Sequence, residues 1–264
     1  MNNPLISIII PVYNAASYID DCIESLLSQT YQNIEILLCD DCSTDNSREI
    51  LKKYESNTRC KVLYNEKNLR QASTRNRCIQ IASGDFIMMQ DADDIATPDR
   101  VEKLLTGFDD SEKIDFVSSS CFLFDENGKY GAIHNKKKFP QQKDLLKGIP
   151  FVHASSMFKR EALNAVGGYR ISKMTRRGED YDLIMRLYAA GFRGKNIDDE
   201  LYGYRVDKDC YSRRTFSARI DEIKIRFYGY RANGILFPLG IIYMFKPLAA
   251  YFYQIIKINI LRKR

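Results

Sequence analysis

Three carboxylates lie within four residues, directly after a short apolar segment. Asp91, Asp93 and Asp94 follow residues 86–89, Phe-Ile-Met-Met, which have the composition of a buried strand. Clustered carboxylates repel one another, so a chain that keeps them at a strand end is expected to neutralise them with a cation. Oxygen ligands of this kind favour Mg²⁺ or Mn²⁺, which usually keep several waters and also bind a substrate phosphate. The cluster therefore predicts a site for a divalent metal and a diphosphate.

A second pair of carboxylates, Asp40 and Asp41, follows another apolar stretch and lies between Cys39 and Cys42. A zinc site would need a second closely spaced cysteine pair, and the sequence has none. The chain has seven cysteines at irregular spacing, and the N-terminus shows no secretory signal before the first apolar segment. These features favour free thiols in a reducing cytosol.

Alternating strand and helix patterns are expected to position these side chains. Apolar, β-branched runs predict strands at residues 5–12, 34–39, 62–64 and 85–89, and helical spacing predicts helices at 19–27, 43–54, 72–82 and from Pro98 onward. Such alternation gives a mostly parallel central sheet with helices on both faces. Ligands bind such sheets at the carboxyl ends of the strands, so Asn14, Asp41 and residues 91–94 are expected to meet in one pocket.

The second half of the chain follows a different order. Strand patterns occur at residues 116–118, 151–158 and 201–204, and helical patterns at 161–166 and 181–190. The sequence shows no internal repeat and no low-complexity linker. We therefore expect residues 1–220 to form one unit, followed by a basic and apolar tail at residues 221–264.

Seven short motifs occur in an order and at spacings that resemble one known family. They are Pro11-Val12-Tyr13-Asn14, Cys39-Asp40-Asp41-Cys42-Ser43-Thr44-Asp45, Arg75-Asn76, Gly84-Asp85-Phe86-Ile87, Asp91-Ala92-Asp93-Asp94, Gly167-Gly168-Tyr169 and Glu179-Asp180-Tyr181-Asp182-Leu183. Each is weak alone, but together they resemble the family 2 glycosyltransferases of the GT-A fold over roughly residues 5–205. The resemblance implies a nucleotide-sugar-binding half at residues 1–115 and an acceptor-binding half at residues 116–220.

The resemblance also implies an activity, the inverting, non-processive transfer of a hexosyl or N-acetylhexosaminyl group. The donor would be a nucleoside-diphosphate sugar, with UDP favoured. The acceptor would be a hydroxyl of a saccharide or lipid-linked saccharide in bacterial cell-surface polysaccharide synthesis. Tyr13 would stack on the nucleobase, and Asp41 would accept a hydrogen bond from its imide N–H. The donor-binding residues implied are Pro11, Tyr13, Asn14, Asp41, Arg75, Asp91, Ala92, Asp93 and Arg205.

Arg75 and Arg205 would bind phosphate, because a guanidinium fork suits phosphate geometry. Simpler roles also exist for these residues: burial for Tyr13, a turn carboxylate for Asp41 and surface ion pairs for the arginines.

The metal and the general base have separate candidates. Asp93 would bind Mn²⁺ or Mg²⁺ directly, while Asp91 would reach the ribose or the water shell of the metal. Asp180 would remove the proton of the attacking hydroxyl, and Glu179 beside it would raise its proton affinity. In simpler readings, Asp94 and Asp180 cap the helices that follow them.

His153, in a predicted strand, is a candidate for the acceptor side, although a lone histidine is more often a hydrogen-bonded core residue. The sequence departs from the family pattern at three places, one of which is residues 209–212, Asp-Cys-Tyr-Ser, in place of a more typical His/Ser-rich stretch. Residues 68–72 lack the glycines that the family often carries there, and Cys42 stands where a glycine or another small residue is usual.

The charge of the chain is concentrated in the tail. The formal net charge is +6, and residues 201–264 hold 13 Lys/Arg against 4 Asp/Glu, which gives +9. No nucleic-acid-binding motif accompanies this charge. Apolar residues at helical spacing from Leu248 to Ile256 and the terminal Arg262-Lys263-Arg264 predict an interfacial helix on an anionic membrane. The expected location is cytoplasmic, on the inner face of the cell membrane; the alternative is a helix docked on the protein or in a homodimer.

Three other functions compete with the glycosyltransferase interpretation. A sugar-nucleotide nucleotidyltransferase would need a glycine-rich phosphate loop, and residues 12–16 contain no glycine. A processive polysaccharide synthase would carry several membrane spans and a Gln-x-x-Arg-Trp motif, but the chain has no tryptophan. The third alternative is a non-catalytic nucleotide-sugar-binding membrane scaffold, against which the set of Asp91, Asp93 and Asp180 argues.

Overall fold

Four parallel strands form the first half of the protein. The structure is a computed structural model that describes residues 3–108, 111–206 and 215–251. The strands β1 (Ile6–Val12), β2 (Ile34–Asp40), β3 (Cys60–Tyr64) and β4 (Phe86–Met89) lie in the order β3-β2-β1-β4. Ile8 of β1 pairs with Ile36 on one side and Met88 on the other. Every residue of β2 is buried, as its unbroken apolar run predicts.

Helices follow these strands at the predicted places. They are α1 (Ile19–Leu27), α2 (Ser47–Lys52), α3 (Gln71–Ile81) and, after a two-residue strand β5 (Ile95–Ala96), α4 (Arg100–Thr106). α2 is shorter than expected because the N–H groups of Lys53 and Tyr54 donate to carbonyls three residues back, which tightens the last turn. α4 begins two residues after Pro98, because a turn comes first.

The second half extends the same sheet with strands of both directions. β6 (Phe116–Asp125), β7 (Gly128–Ile133), β8 (Met157–Lys159) and β9 (Gly194–Arg205) complete the nine strands that lie within the described residues. β8 runs antiparallel to β4 and β6, whereas β9 runs parallel to β6 and antiparallel to β5. The predicted α/β class, with a central sheet flanked by helices, is confirmed, and the sheet is parallel in its first half and mixed in its second.

The strand predicted at residues 151–158 is wrong over most of its length. His153–Ser155 form a 3-10 turn, and only Met157–Lys159 form a strand. The hydroxyl groups of Ser155 and Ser156 donate to the Val152 carbonyl at 2.9 and 3.1 Å. These local bonds satisfy the backbone inside the fold and compete with strand pairing. β7 was not predicted either, since its residues are mostly exposed and lack alternation.

The remaining helices are α5 (Arg160–Ala165), α6 (Glu179–Ala189), α7 (Phe216–Ala232) and α8 (Ile241–Met244). α7 packs on α6, where Tyr230 lies within 3.3 Å of the Tyr181 hydroxyl. α7 therefore crosses the expected boundary at residue 220 and docks on the rest of the protein. The apolar spacing predicted for residues 248–256 lies mostly outside the described residues, which end at residue 251.

Two apolar cores lie on opposite faces of the sheet. Ile6, Ile8 and Ile10 of β1 face α1 and α4, whereas Ile9 packs in the core that contains α3 and α6. The alternation follows from the two-residue period of a strand. Among the residues that the structure describes, no helix combines the length and hydropathy needed to cross a bilayer.

Candidate active site

A cavity of about 880 Å³ lies at the carboxyl ends of the first strands. Most of the residues expected to bind a donor line it, namely Pro11, Tyr13, Asn14, Asp41, Asp91, Ala92 and Asp93. The polar groups after β1, β2 and β4 therefore meet in one pocket, because parallel strands bring their ends to the same edge of the sheet.

The turn after β1 presents Tyr13 to this cavity. Asn14 has a positive φ of 51°. Its backbone N–H donates to Ser43 Oγ at 3.0 Å, and its side-chain oxygen accepts from the Thr44 N–H at 2.8 Å. These bonds join the ends of β1 and β2. Tyr13 is 51% exposed beside this turn, so its ring is open to a planar ligand.

Asp41 is buried and organises the loop that precedes α3. One carboxylate oxygen accepts from Asn65 Nδ2 at 2.8 Å and from the Leu69 N–H at 2.7 Å, and the other accepts from the Arg70 N–H at 2.7 Å. A carboxylate offers about four lone-pair sites, so Asp41 can accept one further hydrogen bond. The geometry is compatible with the predicted contact to a nucleobase.

The three carboxylates after β4 have different surroundings. Asp94 is buried and accepts from the Tyr202 hydroxyl at 2.5 Å and from the Arg205 N–H at 2.7 Å. Burial and the charges of Asp91 and Asp93 raise the pKa of Asp94 to about 8. Asp94 therefore fixes the strand β9 and does not cap α4. Asp93 is exposed and Asp91 is half-buried at the cavity wall.

Arg75 connects the acidic turn with the start of α6. Its guanidinium is 3% exposed, lies 2.7 Å from Asp91 Oδ1 and 3.5 Å from Glu179 Oε1, and covers the Tyr169 ring. Gln71, with its amide turned to suit its neighbours, donates to Glu179 at 3.0 Å and accepts from Arg75 at 2.7 Å. Arg75 is thus committed to two carboxylates, which does not favour its predicted role as a phosphate partner.

Glu179 and Asp180 form the first turn of α6. Burial, followed by the charge of Asp180, raises the pKa of Glu179 to about 7. Burial also raises the pKa of Asp180, whose Oδ1 accepts from the Tyr181 N–H at 2.7 Å. Glu179 lines a second cavity of about 290 Å³. Asp180 is half-buried and is not among the residues that line either of the two cavities.

His153 and Arg205 lie outside the walls of both cavities. His153 is buried, and its Nε2 lies 2.7 Å from the Tyr169 hydroxyl. Burial, together with the charge of Arg75, places the pKa of His153 well below its usual value, so the ring is neutral. Arg205 donates from Nε to the Asp93 carbonyl at 2.9 Å and stacks over the rings of Tyr18 and Phe124.

The acidic turn fits one mode of metal binding. Among the described residues, no three His, Cys, Asp or Glu side chains form a group that could hold a metal ion. Mg²⁺ and Mn²⁺ are also bound by one or two carboxylates together with substrate phosphates and waters. Asp91 and Asp93 both line the larger cavity, so they could hold a metal together with a bound diphosphate.

Several residues that line the larger cavity were not predicted from the sequence. They are Tyr18, Asn68, Arg70, Gln71, Arg176, Arg177 and Tyr204 in the larger cavity. Two signals were available for part of this set. Arg70 occupies the loop that lacks the usual glycines, and Arg176-Arg177 directly precede the Gly178-Glu179-Asp180 segment. Tyr18 and Tyr204 could not be found, because only the folded chain brings them to the pocket.

Comparisons with known proteins give one consistent result. Residues 7–167 match the sequence model of the family described as Glycosyl transferase family 2. The chain is 37% identical over 254 residues to the putative glycosyltransferase EpsE of Bacillus subtilis. The alignment covers 95% of this chain and 90% of that protein. It is 30% identical over 217 residues to the putative teichuronic acid biosynthesis glycosyltransferase TuaG of the same organism, covering 81% and 84%.

Solved structures show the same architecture. A structure of S. aureus TarS, residues 1–349, in complex with UDP-GlcNAc matches with a TM-score of 0.71 and 18% sequence identity. The match covers 88% of this chain and 71% of that one. At this identity the likeness supports the fold.

Proposed function

Since the chain belongs to glycosyl transferase family 2, we propose that it transfers a sugar, with inversion, from a nucleoside-diphosphate donor to a hydroxyl group. The resemblance drawn from the seven motifs and the GT-A fold class are confirmed by the family match and the likeness to TarS. The observation that carries the proposal is the position of Arg75 between Asp91 and Glu179. Arg75 links Asp91, which belongs to the carboxylates suited to a metal and diphosphate, with Glu179, which lies beside the proposed base.

The donor is proposed to occupy the larger cavity. Tyr13 stacks on the base, Asp41 accepts from its imide N–H, and Pro11, Asn14 and Ala92 complete the wall. Asp93 and Asp91 are the residues that would hold Mn²⁺ or Mg²⁺. When bound, the metal would supply Lewis acidity that offsets the charge on the departing nucleoside diphosphate. The complex of TarS with UDP-GlcNAc supports a UDP-sugar with a hexosyl or N-acetylhexosaminyl group as the donor.

Asp180 is proposed as the general base. Its raised pKa brings its proton affinity closer to that required at neutral pH. In this proposal the acceptor hydroxyl loses its proton to Asp180 while its oxygen attacks the anomeric carbon on the side opposite the diphosphate. The acceptor is a saccharide or lipid-linked saccharide of the cell surface. The similarity to TuaG, with its role in teichuronic acid biosynthesis, supports this class of acceptor.

A peripheral location at the inner face of the membrane completes the proposal. The net charge of +9 on residues 201–264 favours an anionic surface. Phe237 and Ile242 are 76% and 70% exposed, and Leu239 and Phe245 beside them are about half exposed. Exposed apolar groups close to many cations are typical of proteins that bind anionic lipid.

Donor binding provides the direct test. UDP-, GDP- and dTDP-sugars are added with Mn²⁺ or Mg²⁺, and the melting temperature and donor hydrolysis are measured. We expect one nucleotide class to raise the melting temperature and to be hydrolysed slowly, and a chelator to abolish both effects. Asp93→Asn should remove most of the metal-dependent shift, whereas Asp199→Asn, on the exposed part of β9, should retain it.

Two outcomes contradict parts of the proposal. If no nucleotide sugar changes the melting temperature, the chain is not a transferase of this type. If the shift is unaffected by the chelator and by Asp93→Asn, the metal assignment is wrong while the donor assignment stands.

A further inference from the structure

We propose that the cavity of about 290 Å³ binds the acceptor, and that the acceptor carries an anionic group, a phosphate ester or a carboxylate, held there by Arg70, Lys173 and Arg176. The inference rests on the proposed transferase function and adds the chemical class of the second substrate. The two substrates then occupy adjacent cavities that share the lining residues Arg70, Gln71 and Arg176.

The position of the cavity suits an acceptor. Glu179 forms part of its wall, and the proposed base Asp180 is the next residue of α6. On the other side, Gln71 separates it from the larger cavity, where Asp91 and Asp93 mark the place of the diphosphate. A hydroxyl bound between these groups would lie beside Glu179, one residue from the proposed base, and next to the cavity proposed for the donor.

The charge of the wall selects the ligand. Arg70, Arg170, Lys173 and Arg176 line this cavity, and Glu179 is the one carboxylate among its lining residues. Arg170 lies 3.5 Å from Asp182. Among the described residues, by contrast, no carboxylate forms an ion pair with the other three cations. Cations that face one cavity without a partner repel one another, and an anionic ligand would remove that repulsion.

The wall is not uniformly polar. Leu69, Ala72 and Ile171 also line the cavity, and Ile171 is 66% exposed. Sugar rings present C–H faces as well as hydroxyl groups, so an apolar surface with cations at its rim fits a glycosyl group that bears an acidic substituent. A neutral saccharide would leave three cations without a partner.

The backbone of Arg70 supplies an independent argument. Arg70 has φ 71° and ψ 164°, a backbone conformation that glycine adopts readily and that costs another residue about 1–3 kcal/mol. It stands in the loop where the sequence lacks the family's usual glycines. The chain thus keeps a cationic residue at a position where glycine would fit with less strain, and that residue lines both cavities.

The loop that carries the other cations is already organised. The buried Thr175 donates from its hydroxyl to the Arg170 carbonyl at 2.7 Å and accepts from the Ser172 N–H at 3.3 Å. A ligand would therefore not need to order this segment, and little of the binding free energy would be lost to loop ordering.

Binding of defined probes tests the inference. A glycosyl phosphate, a glucuronate oligosaccharide and a neutral glucose oligosaccharide are titrated into the full chain by calorimetry, with UDP and Mn²⁺ present. We expect at least one anionic probe to bind about tenfold more tightly than the neutral one, as charge-assisted hydrogen bonds allow. Preference for the glycosyl phosphate identifies a phosphate ester, and preference for the glucuronate identifies a carboxylate.

Variants show whether the proposed side chains are responsible. Lys173→Gln changes a residue that lines only the smaller of the two cavities. It should weaken binding of the anionic probe about tenfold and leave binding of the neutral probe and of the UDP-sugar unchanged. Lys67→Gln removes an equal charge from the exposed loop before α3. It should change the affinity for none of these three ligands. Arg70→Gly should weaken binding of the anionic probe and raise the melting temperature, because it removes a cation and relieves backbone strain. A purely structural role of Arg70 would not give this combination.

The inference is overturned if no anionic probe binds more tightly than the neutral one, or if Lys173→Gln and Lys67→Gln weaken the anionic probe equally. Either result would leave binding and hydrolysis of the UDP-sugar intact. Failure of this inference is therefore distinguishable from failure of the proposed function, in which the donor itself does not bind.

Discussion

Arg75 joins two groups of carboxylates that are far apart in the sequence. It is 104 residues from Glu179 and 16 from Asp91, yet its guanidinium contacts both. Burying a guanidinium is costly unless it is paired, and removing one partner of a buried pair leaves an uncompensated charge. The distance between the acidic turn and the start of α6 therefore depends on this side chain.

The adjacent carboxylates Glu179 and Asp180 can be separated by substitution. We expect Asp180→Asn to retain the melting-temperature shift with the donor and to lower transfer by about 100-fold or more, because general bases contribute about 10²–10⁴. Glu179→Gln is the matched variant and should retain measurable transfer. Donor shift and product formation are measured for both variants on the same acceptor.

The reverse pattern would contradict this assignment. If Asp180→Asn transfers sugar at the wild-type rate while Glu179→Gln does not, the base is Glu179, the carboxylate that lines the smaller cavity.

Individual site residues differ in how far the sequence predicts them. Asp41, Asp91 and Asp93 could be predicted as neighbours because each follows a continuous apolar strand, and such strand ends meet at one edge of a parallel sheet. The contact between Arg75 and Glu179 could not be predicted, because a pairing across 104 residues depends on how the whole chain folds. His153 was expected in a strand, and local hydroxyl–carbonyl bonds formed a turn there instead.

At the scale of elements, Asn76 on α3 anchors Tyr169, directly before the loop that carries Arg170, Lys173 and Arg176. Its Nδ2 donates to the Tyr169 carbonyl at 2.8 Å, and its Oδ1 accepts from the Tyr169 N–H at 2.7 Å. The neighbouring Gly168 has φ 64°, and a Cβ there would lie 2.6 Å from Asn76 Oδ1. The chain therefore passes so close to α3 that a larger residue at this position would clash.

We expect Asn76→Ala to lower the free energy of unfolding by about 1–3 kcal/mol, because two hydrogen-bonding groups of Tyr169 lose their partner. The loop that begins at Arg170 should also shift, so transfer should fall more than donor binding. Denaturant unfolding and steady-state assays measure the two effects. Gln80→Ala, on the exposed side of the same helix, is the control and should change neither quantity. An unfolding free energy within about 0.5 kcal/mol of the wild type would contradict the anchoring role.

Elements were predictable where burial is two-sided. β1, β2 and β4 have continuous apolar sequences, and their positions agree with the pattern to within one residue at each end. β5 is too short, and β7 too exposed, to carry a periodic signal. These strands form because neighbouring strands provide hydrogen-bonding edges, which a local pattern does not contain.

On the scale of the whole molecule, apolar exposure is concentrated near the C-terminal end of the described chain. Phe237, Leu239, Ile242 and Phe245 lie within nine residues and are all exposed. α7, which precedes them, docks through Arg226, whose guanidinium donates to the Leu146 carbonyl. The protein therefore holds this apolar segment against its own surface and leaves one side of it uncovered.

We expect the double variant Phe237→Ser, Ile242→Ser to bind phosphatidylglycerol vesicles about tenfold or more weakly than the wild type, since each buried side chain contributes about 1.5–3 kcal/mol. Sedimentation with vesicles measures the partition coefficient. Tyr130→Ser, at an aromatic residue of β7 that is 55% exposed, should leave the partition coefficient unchanged. Equal partitioning of the double variant and the wild type would show that this segment does not contact lipid.

The common wall formed by Arg70, Gln71 and Arg176 provides a route by which ligands in the two cavities can influence each other. A ligand that reorients these side chains from one side alters the surroundings met by a ligand on the other side. Linkage requires such an influence to be mutual and equal in free energy. Under the proposed roles, any increase in acceptor affinity caused by a bound nucleotide is matched by an equal increase in nucleotide affinity caused by the acceptor. With such an increase, release of either product would lower the affinity for the other.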